Sequence, residues 1–243
     1  MFYMQDELIL GLITTITSTI TAILGAGGGM VLIAILPNFL SPNNIVPIHG
    51  ATQFASNFSR ALFGYKHIYY KALLKFLLGS LIGAGIFAYF LSLISFKYIP
   101  LFIGLYILLS LWSKNFTKLI ENLESYFLIG LIQSGISLIV GATGAMSMPL
   151  LLKDCKKMDE IVASAAAFAS VTHFLKIIVF IFLGFKFFTH LPLMLTMIFA
   201  AILGSYLGTI IRKKYSGAKL KFILKIILTI LATKSIIFTF VSI

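Results

Sequence analysis

The chain has 243 residues, 60% hydrophobic and only 11% charged, and its mean hydropathy of +1.06 is more apolar surface than a water-soluble fold of this size can bury. A formal charge of +12 would suggest nucleic acid in a soluble protein. Here most of the basic residues fall in joints between apolar runs, where they meet anionic headgroups and set orientation, so the expected partner is the lipid bilayer and not nucleic acid.

Taken in chain order, apolar runs lie near residues 8–24, 28–40, 48–64, 72–94 and 98–113, then 124–140, 145–152, 161–183, 191–211 and 220–240. Runs of roughly 17–25 residues cross about 30 Å of hydrocarbon as helices, and the alternation of a membrane β-barrel is missing. The fold class is therefore an all-α polytopic membrane protein. Asp6 and Glu7 precede the first run where a cleaved signal peptide needs basic residues, so that run is expected in the mature chain. The second and seventh runs are too short to cross comfortably alone, and each follows a glycine break, "GAGGGM" at 25–30 and "GATGAM" at 141–146.

Sliding the chain by 116 residues lays the first break on the second, Asn57 on His173 and Arg60 on Lys176. A second likeness, Gly79 and Gly83 on Gly204 and Gly208, needs a shift of 125, so the copies differ in loop length. If all ten runs change sides, one face receives Lys66, Lys71, Lys75, Lys114, Lys118, Lys153, Lys156, Lys157, Arg212, Lys213, Lys214 and Lys219. Only Lys97 and Lys186 occupy joints on the other. Lys and Arg collect on the cytoplasmic side, which puts both termini outside the cytoplasm. Five crossings is an odd number, so the second half, 116–243, is inserted upside down relative to the first, 1–115. Together they form one integral membrane domain with the inverted-repeat plan of many secondary transporters.

Non-helical backbone at membrane depth is tolerated only where protein or a water-filled cavity surrounds it. The helix that starts after each break presents unpaired N–H groups and the positive end of its dipole, which suits an anion. The alternative is that these glycines only permit close helix contact or a sharp turn. No Lys-Ser or Lys-Thr follows and no strand precedes, which argues against a nucleotide-binding loop.

The third run places His49, Gln53, Asn57 and Arg60 on one helix face, and the eighth supplies Thr172, His173 and Lys176. A charge at mid-bilayer costs on the order of 3 kcal/mol, so Arg60 and Lys176 face a cavity or a partner unless they snorkel to the headgroups. All seven acids, Asp6, Glu7, Glu121, Glu124, Asp154, Asp159 and Glu160, lie at run ends or in joints. This disfavours a cation substrate and carboxylate proton relays, although His173 or His49 could shuttle a proton. No histidine pair has metal-ligand spacing, and the single cysteine, Cys155, has no metal-type neighbour and excludes an internal disulfide. Neither metal nor cofactor is expected.

On these residues the chain resembles the sulfite exporter TauE/SafE family over nearly its whole length. The family's Gly-rich stretch, apolar run and proline recur as "GAGGGMVLIAILP" and "GATGAMSMPLLL". "VASAAAFASVTHFLKIIVFIFLG" is similar to its second-half helix, with His173 where the family has Asn and Lys176 in place. "GATQFASNFSRALFGYKH" keeps the Asn as Asn57, followed by Arg60. Thr143 and Ala145 replace common glycines, and the acidic "VDW"-like ending after Gly64 is missing. The resemblance implies export or exchange of a small anion such as sulfite, sulfoacetate or thiosulfate, in a multi-pass protein of the bacterial inner membrane.

The resulting expectation is a non-enzymatic secondary transporter working by alternating access. Its substrate site takes backbone donors from Gly27, Gly28, Gly29, Thr143 and Gly144, hydrogen bonds from Gln53, Asn57 and His173, and charge from Arg60 and Lys176. A passive anion channel and a non-transport structural membrane protein are the rival readings. An intramembrane enzyme lacks a Ser/His/Asp set, zinc-ligand spacing or paired carboxylates.

Overall fold

Main-chain polar groups in hydrocarbon have no water to pair with and must be satisfied within their own segment; the apolar runs fold accordingly as helices. The computed structural model describes residues 4–212 and 218–241, with no strand among them. Lys213 and Lys214, used above to assign orientation, lie outside the described residues, as does the side chain of Lys219.

In chain order the helices are α1 (Met4–Leu24), α2 (Gly28–Ile35), α3 (Pro42–Phe63), α4 (Tyr70–Leu93), α5 (Ile99–Trp112), α6 (Lys114–Glu121), α7 (Tyr126–Val140), α8 (Met148–Asp154), α9 (Met158–Phe182), α10 (Leu191–Arg212) and α11 (Ala218–Val241). By length and apolarity α1, α4, α9, α10 and α11 can each cross a membrane, and the pair α5 and α6, bent by 82°, supplies a sixth candidate. Ten full crossings are thus not what the chain builds. With its trailing 3-10 turn, α2 ends at Asn38, about 16 Å at 1.5 Å per residue against a core of roughly 30 Å. The seven residues of α8 reach less far still. A second correction concerns residues 114–121, read above as part of a joint: they form α6, started by Ser113, whose Oγ accepts from the Phe116 N–H at 3.2 Å.

Small residues decide which helices meet. On α4, a β-carbon at Gly79 or Gly83 would lie 1.9 Å from the Phe127 carbonyl oxygen and 2.0 Å from that of Leu131. On α10, Gly204 and Gly208 stand in the same relation to the Thr15 and Thr19 carbonyls of α1, at 2.3 and 2.4 Å. Only a hydrogen in place of a side chain allows backbones this close. The glycine pairs that align with a shift of 125 therefore make one contact twice, α4 on α7 and α10 on α1, and in both pairs residue numbers rise together, so the partners run parallel.

Helices α3 and α9 cross antiparallel, with Gly50 against the Lys176 stem at one level and Gly64 against Ala163 at another. This pattern is consistent with two halves of opposite insertion. The polar joints sort as the charges suggest. At one end the Tyr69 N–H donates to Ser164 Oγ (2.8 Å), Lys153 reaches the Glu121 carbonyl (3.3 Å), and Arg212 pairs with Asp159 (2.6 Å). At the other, Phe96 and Phe185 both lie against Phe180. The outer surface is apolar along whole helix faces, as with Leu74, Leu78, Leu81, Tyr89 and Leu93 on α4, which is the side that meets lipid.

Candidate functional site

The first break follows from glycine's freedom at positive φ. Gly25 and Gly27 sit at φ 86° and 105° and Gly141 at 80°, a region closed to most side chains. The chain leaves α1 after Leu24 and doubles back as α2, so tightly that a β-carbon on Gly28 would lie 1.8 Å from the Thr17 carbonyl oxygen. Because α2 is half-length, its N-terminus lies deep in the bundle beside the middle of α3: Gly29 is in contact range of Gln53, and His49 Nε2 is 3.0 Å from the Gly29 carbonyl. The second break brings residues 142–145 to the same place from the other half.

Between the two breaks lies a cavity of about 410 Å³, its open mouth included, walled by His49, Gln53, Asn57, His173, Gly29 and Gly144 among others. Its polar atoms are of both kinds, His49 Nδ1 being a buried acceptor without a partner. The Gly29 carbonyl accepts from His49 Nε2, which fixes the proton there. Lys176 Nζ donates to the Gly141 carbonyl at 2.6 Å and lies 3.3 Å from His173 Nδ1. Gln53 Nε2 is buried with no partner, a group that costs about 1–3 kcal/mol unless something occupies the cavity. Asn57 is committed at both ends: its Nδ2 donates to the Gln53 carbonyl at 2.7 Å, and its Oδ1 accepts from Arg60 Nη2. The rings of His49 and His173 meet edge to face at 5.7 Å, joining the halves across the cavity.

Of the ten residues expected at the site, Gly27, Gly29, Gln53, Asn57, Gly144 and His173 line this cavity. Gly28 is turned against α1. Thr143 ties the second break down, donating its hydroxyl to the Gln133 carbonyl at 2.8 Å. Lys176 stands behind the wall, 0% exposed, and Arg60, 3% exposed, lines a separate chamber toward the bundle end. Neither cation snorkels, and neither is paired with an acid; the two ion pairs among the described residues are Lys153 with Glu124 and Arg212 with Asp159. Sequence reasoning left His49 out of the site although it begins the stripe. It also passed over Thr21, Ala165 and Ala169, whose small size keeps the cavity open; the run "ASAAAFAS" was the available signal.

The Gln53 amide on the wall is unpaired, Lys176 stands behind it, and the lining holds no acid. Among the described residues no group of three or more His, Cys, Asp or Glu stands together to hold a metal. A family model described as "Sulfite exporter TauE/SafE" matches residues 10–235. Comparison with curated proteins and with solved structures gives no match.

Proposed function

We propose that this chain, which belongs to the sulfite exporter TauE/SafE family, is a secondary transporter that exports or exchanges sulfite or an organosulfur anion by alternating access. Membership implies a multi-pass membrane transporter of sulfite or related anions; the proposal adds the mechanism, the site and the class within those anions. One observation carries it: both glycine breaks open on one cavity whose wall holds the unpaired Gln53 amide, with Lys176 held behind it. In this reading the backbones of Gly27, Gly28, Gly29, Thr143 and Gly144 supply partial positive charge, and Gln53, Asn57 and His173 form the polar wall. Lys176 offsets the substrate's charge without touching it. The halves 1–115 and 116–243 rock about the α3 and α9 crossing, in a bacterial inner membrane with the Lys-rich joints facing the cytoplasm, and no catalytic step is involved.

The test is counterflow. Proteoliposomes preloaded with unlabelled sulfite should take up external labelled sulfite transiently above its equilibrium level, because a carrier exchanges. A channel would fill them without overshoot, and the absence of any saturable flux would refute the reading.

A further inference from the structure

A second chamber of about 490 Å³ lies where the ends of α3 and α10 meet the start of α9, walled by Arg60, His67, Asp159, Thr209 and Arg212 among others. Arg60 is 97% removed from solvent, being 3% exposed. Only its Nη2 is used, on Asn57 Oδ1, while Nε and Nη1 have no partner. Arg212 donates Nη2 to Asp159 Oδ1 at 2.6 Å, yet its Nη1 is also buried without a partner. Three guanidinium nitrogens are thus withheld from water and unpaired in one chamber. An arginine whose only job was to neutralise Asp159, or to brace Asn57, would not leave that many donors idle.

Position adds a second argument. The chamber is at the end where the basic joints gather, and Arg60 reaches through Asn57 to the wall of the central cavity, which Asn57 itself lines. The polar path runs Arg212, Arg60, Asn57, Gln53 and His173 with no acid in it except Asp159, and that acid is held by Arg212.

We infer that this chamber is a second binding site for a small oxyanion, a staging site between the cytoplasm and the central cavity, in which Arg60 and Arg212 grip the anion and Asp159 competes with it for Arg212. Two guanidinium groups against one carboxylate leave one net positive charge, enough to admit an anion and too little to trap it. The Arg212 and Asp159 pair is the gate: an arriving anion takes the Arg212 fork from the carboxylate, and its departure toward the cavity restores the pair. The inference rests on the anion-transport reading above.

Sulfite bound per chain, measured by equilibrium dialysis of labelled sulfite against the purified full-length protein in detergent, separates the two. The wild type is expected to bind two. Gln53→Leu should lose the central one and keep the outer, and Arg60→Gln the reverse. Asp159→Asn, by freeing Arg212, should tighten the outer site about tenfold, an effect a purely structural arginine would not produce. Should Arg60→Gln fail to fold, Arg212→Gln at the chamber rim tests the same site and should weaken it. A single sulfite that Gln53→Leu removes, or outer affinity unmoved by Asp159→Asn, would overturn the staging site and leave the carrier standing. A single sulfite lost only with Arg60→Gln would overturn the central site, and no binding at all would overturn both.

Discussion

Lys176 on α9 donates from Nζ to the carbonyl of Gly141, 2.6 Å away, and so fastens a fully buried basic side chain to the backbone of the second glycine break. The contact serves two ends: it occupies a carbonyl that the break leaves outside the helix, and it holds a positive charge behind the cavity wall. Lys176→Met keeps the stem that packs on Gly50 but removes the charge. We predict that sulfite uptake into proteoliposomes falls by about tenfold or more. The melting temperature should change little, because loss of the buried polar amine offsets the Gly141 carbonyl left without its donor. Uptake at the wild-type rate would reduce Lys176 to a brace for the break.

The helix contacts at small residues are equally open to test. In Gly83→Ala the new methyl meets the Leu131 carbonyl at 2.0 Å, and in Gly208→Ala it meets that of Thr19 at 2.4 Å. The atoms in the way are backbone and cannot swing aside, so each variant should lose about 1–3 kcal/mol. Gly85 is on the same helix as Gly83 but has nothing within 4 Å of the added carbon; Gly85→Ala should be neutral or stabilising by up to about 1 kcal/mol. Melting temperatures in one detergent give the order, and equal effects at positions 83 and 85 would mean the helices do not meet here.

Much of this was legible beforehand because the chain states it twice. The recurrence of Gly25–Gly29 as residues 141–144 marked both breaks, and the spacing of Gln53 and Asn57 put them on one face. What the sequence could not carry was the destination of the charges. That Lys176 would brace Gly141, 35 residues away, while Arg60 turned to a chamber of its own, depends on helix placement that no local pattern encodes. Thr21, Ala165 and Ala169 were missed for a related reason: a cavity is made by side chains that are not there, and small residues are unremarkable one at a time. The short helix α6 was missed because Lys114, Lys118 and Glu121 read as a solvated joint, although Ser113 is a recognisable cap.

The first break separates conformation from occupancy. Gly27 has φ 105° but open space around it, with Leu224 Cδ1 3.7 Å from an added carbon, whereas Gly29 has ordinary φ and its added carbon would lie 3.0 Å from Gln53 Oε1 at the cavity wall. Gly27→Ala should therefore cost stability, about 1–2 kcal/mol for a forced left-handed residue. Gly29→Ala should leave the fold nearly intact and raise the KM for sulfite several-fold by displacing the Gln53 amide. Melting curves and initial uptake rates on both variants decide it; if the two behave alike, the cavity beside Gly29 is not where the anion sits.

Cys155, in the joint between α8 and α9, reports on the basic end of the bundle without touching the pathway. Partial burial raises its thiol above the ordinary value, and the charges of Glu160 and Asp154 push the same way. The thiolate is the form that alkylates, so the folded protein should react with iodoacetamide along a pH curve displaced to higher pH than the same cysteine in denatured protein, whose midpoint is about 8.5. Hindered access would lower the rate at every pH equally, so the midpoint is the informative quantity. Glu160→Gln removes one of the two carboxylates and should bring the curve part of the way back. Coincident midpoints for folded and denatured chains would mean that the joint is open and that Cys155 faces bulk water, in which case the neighbouring Asp154 and Glu160 are solvated as well.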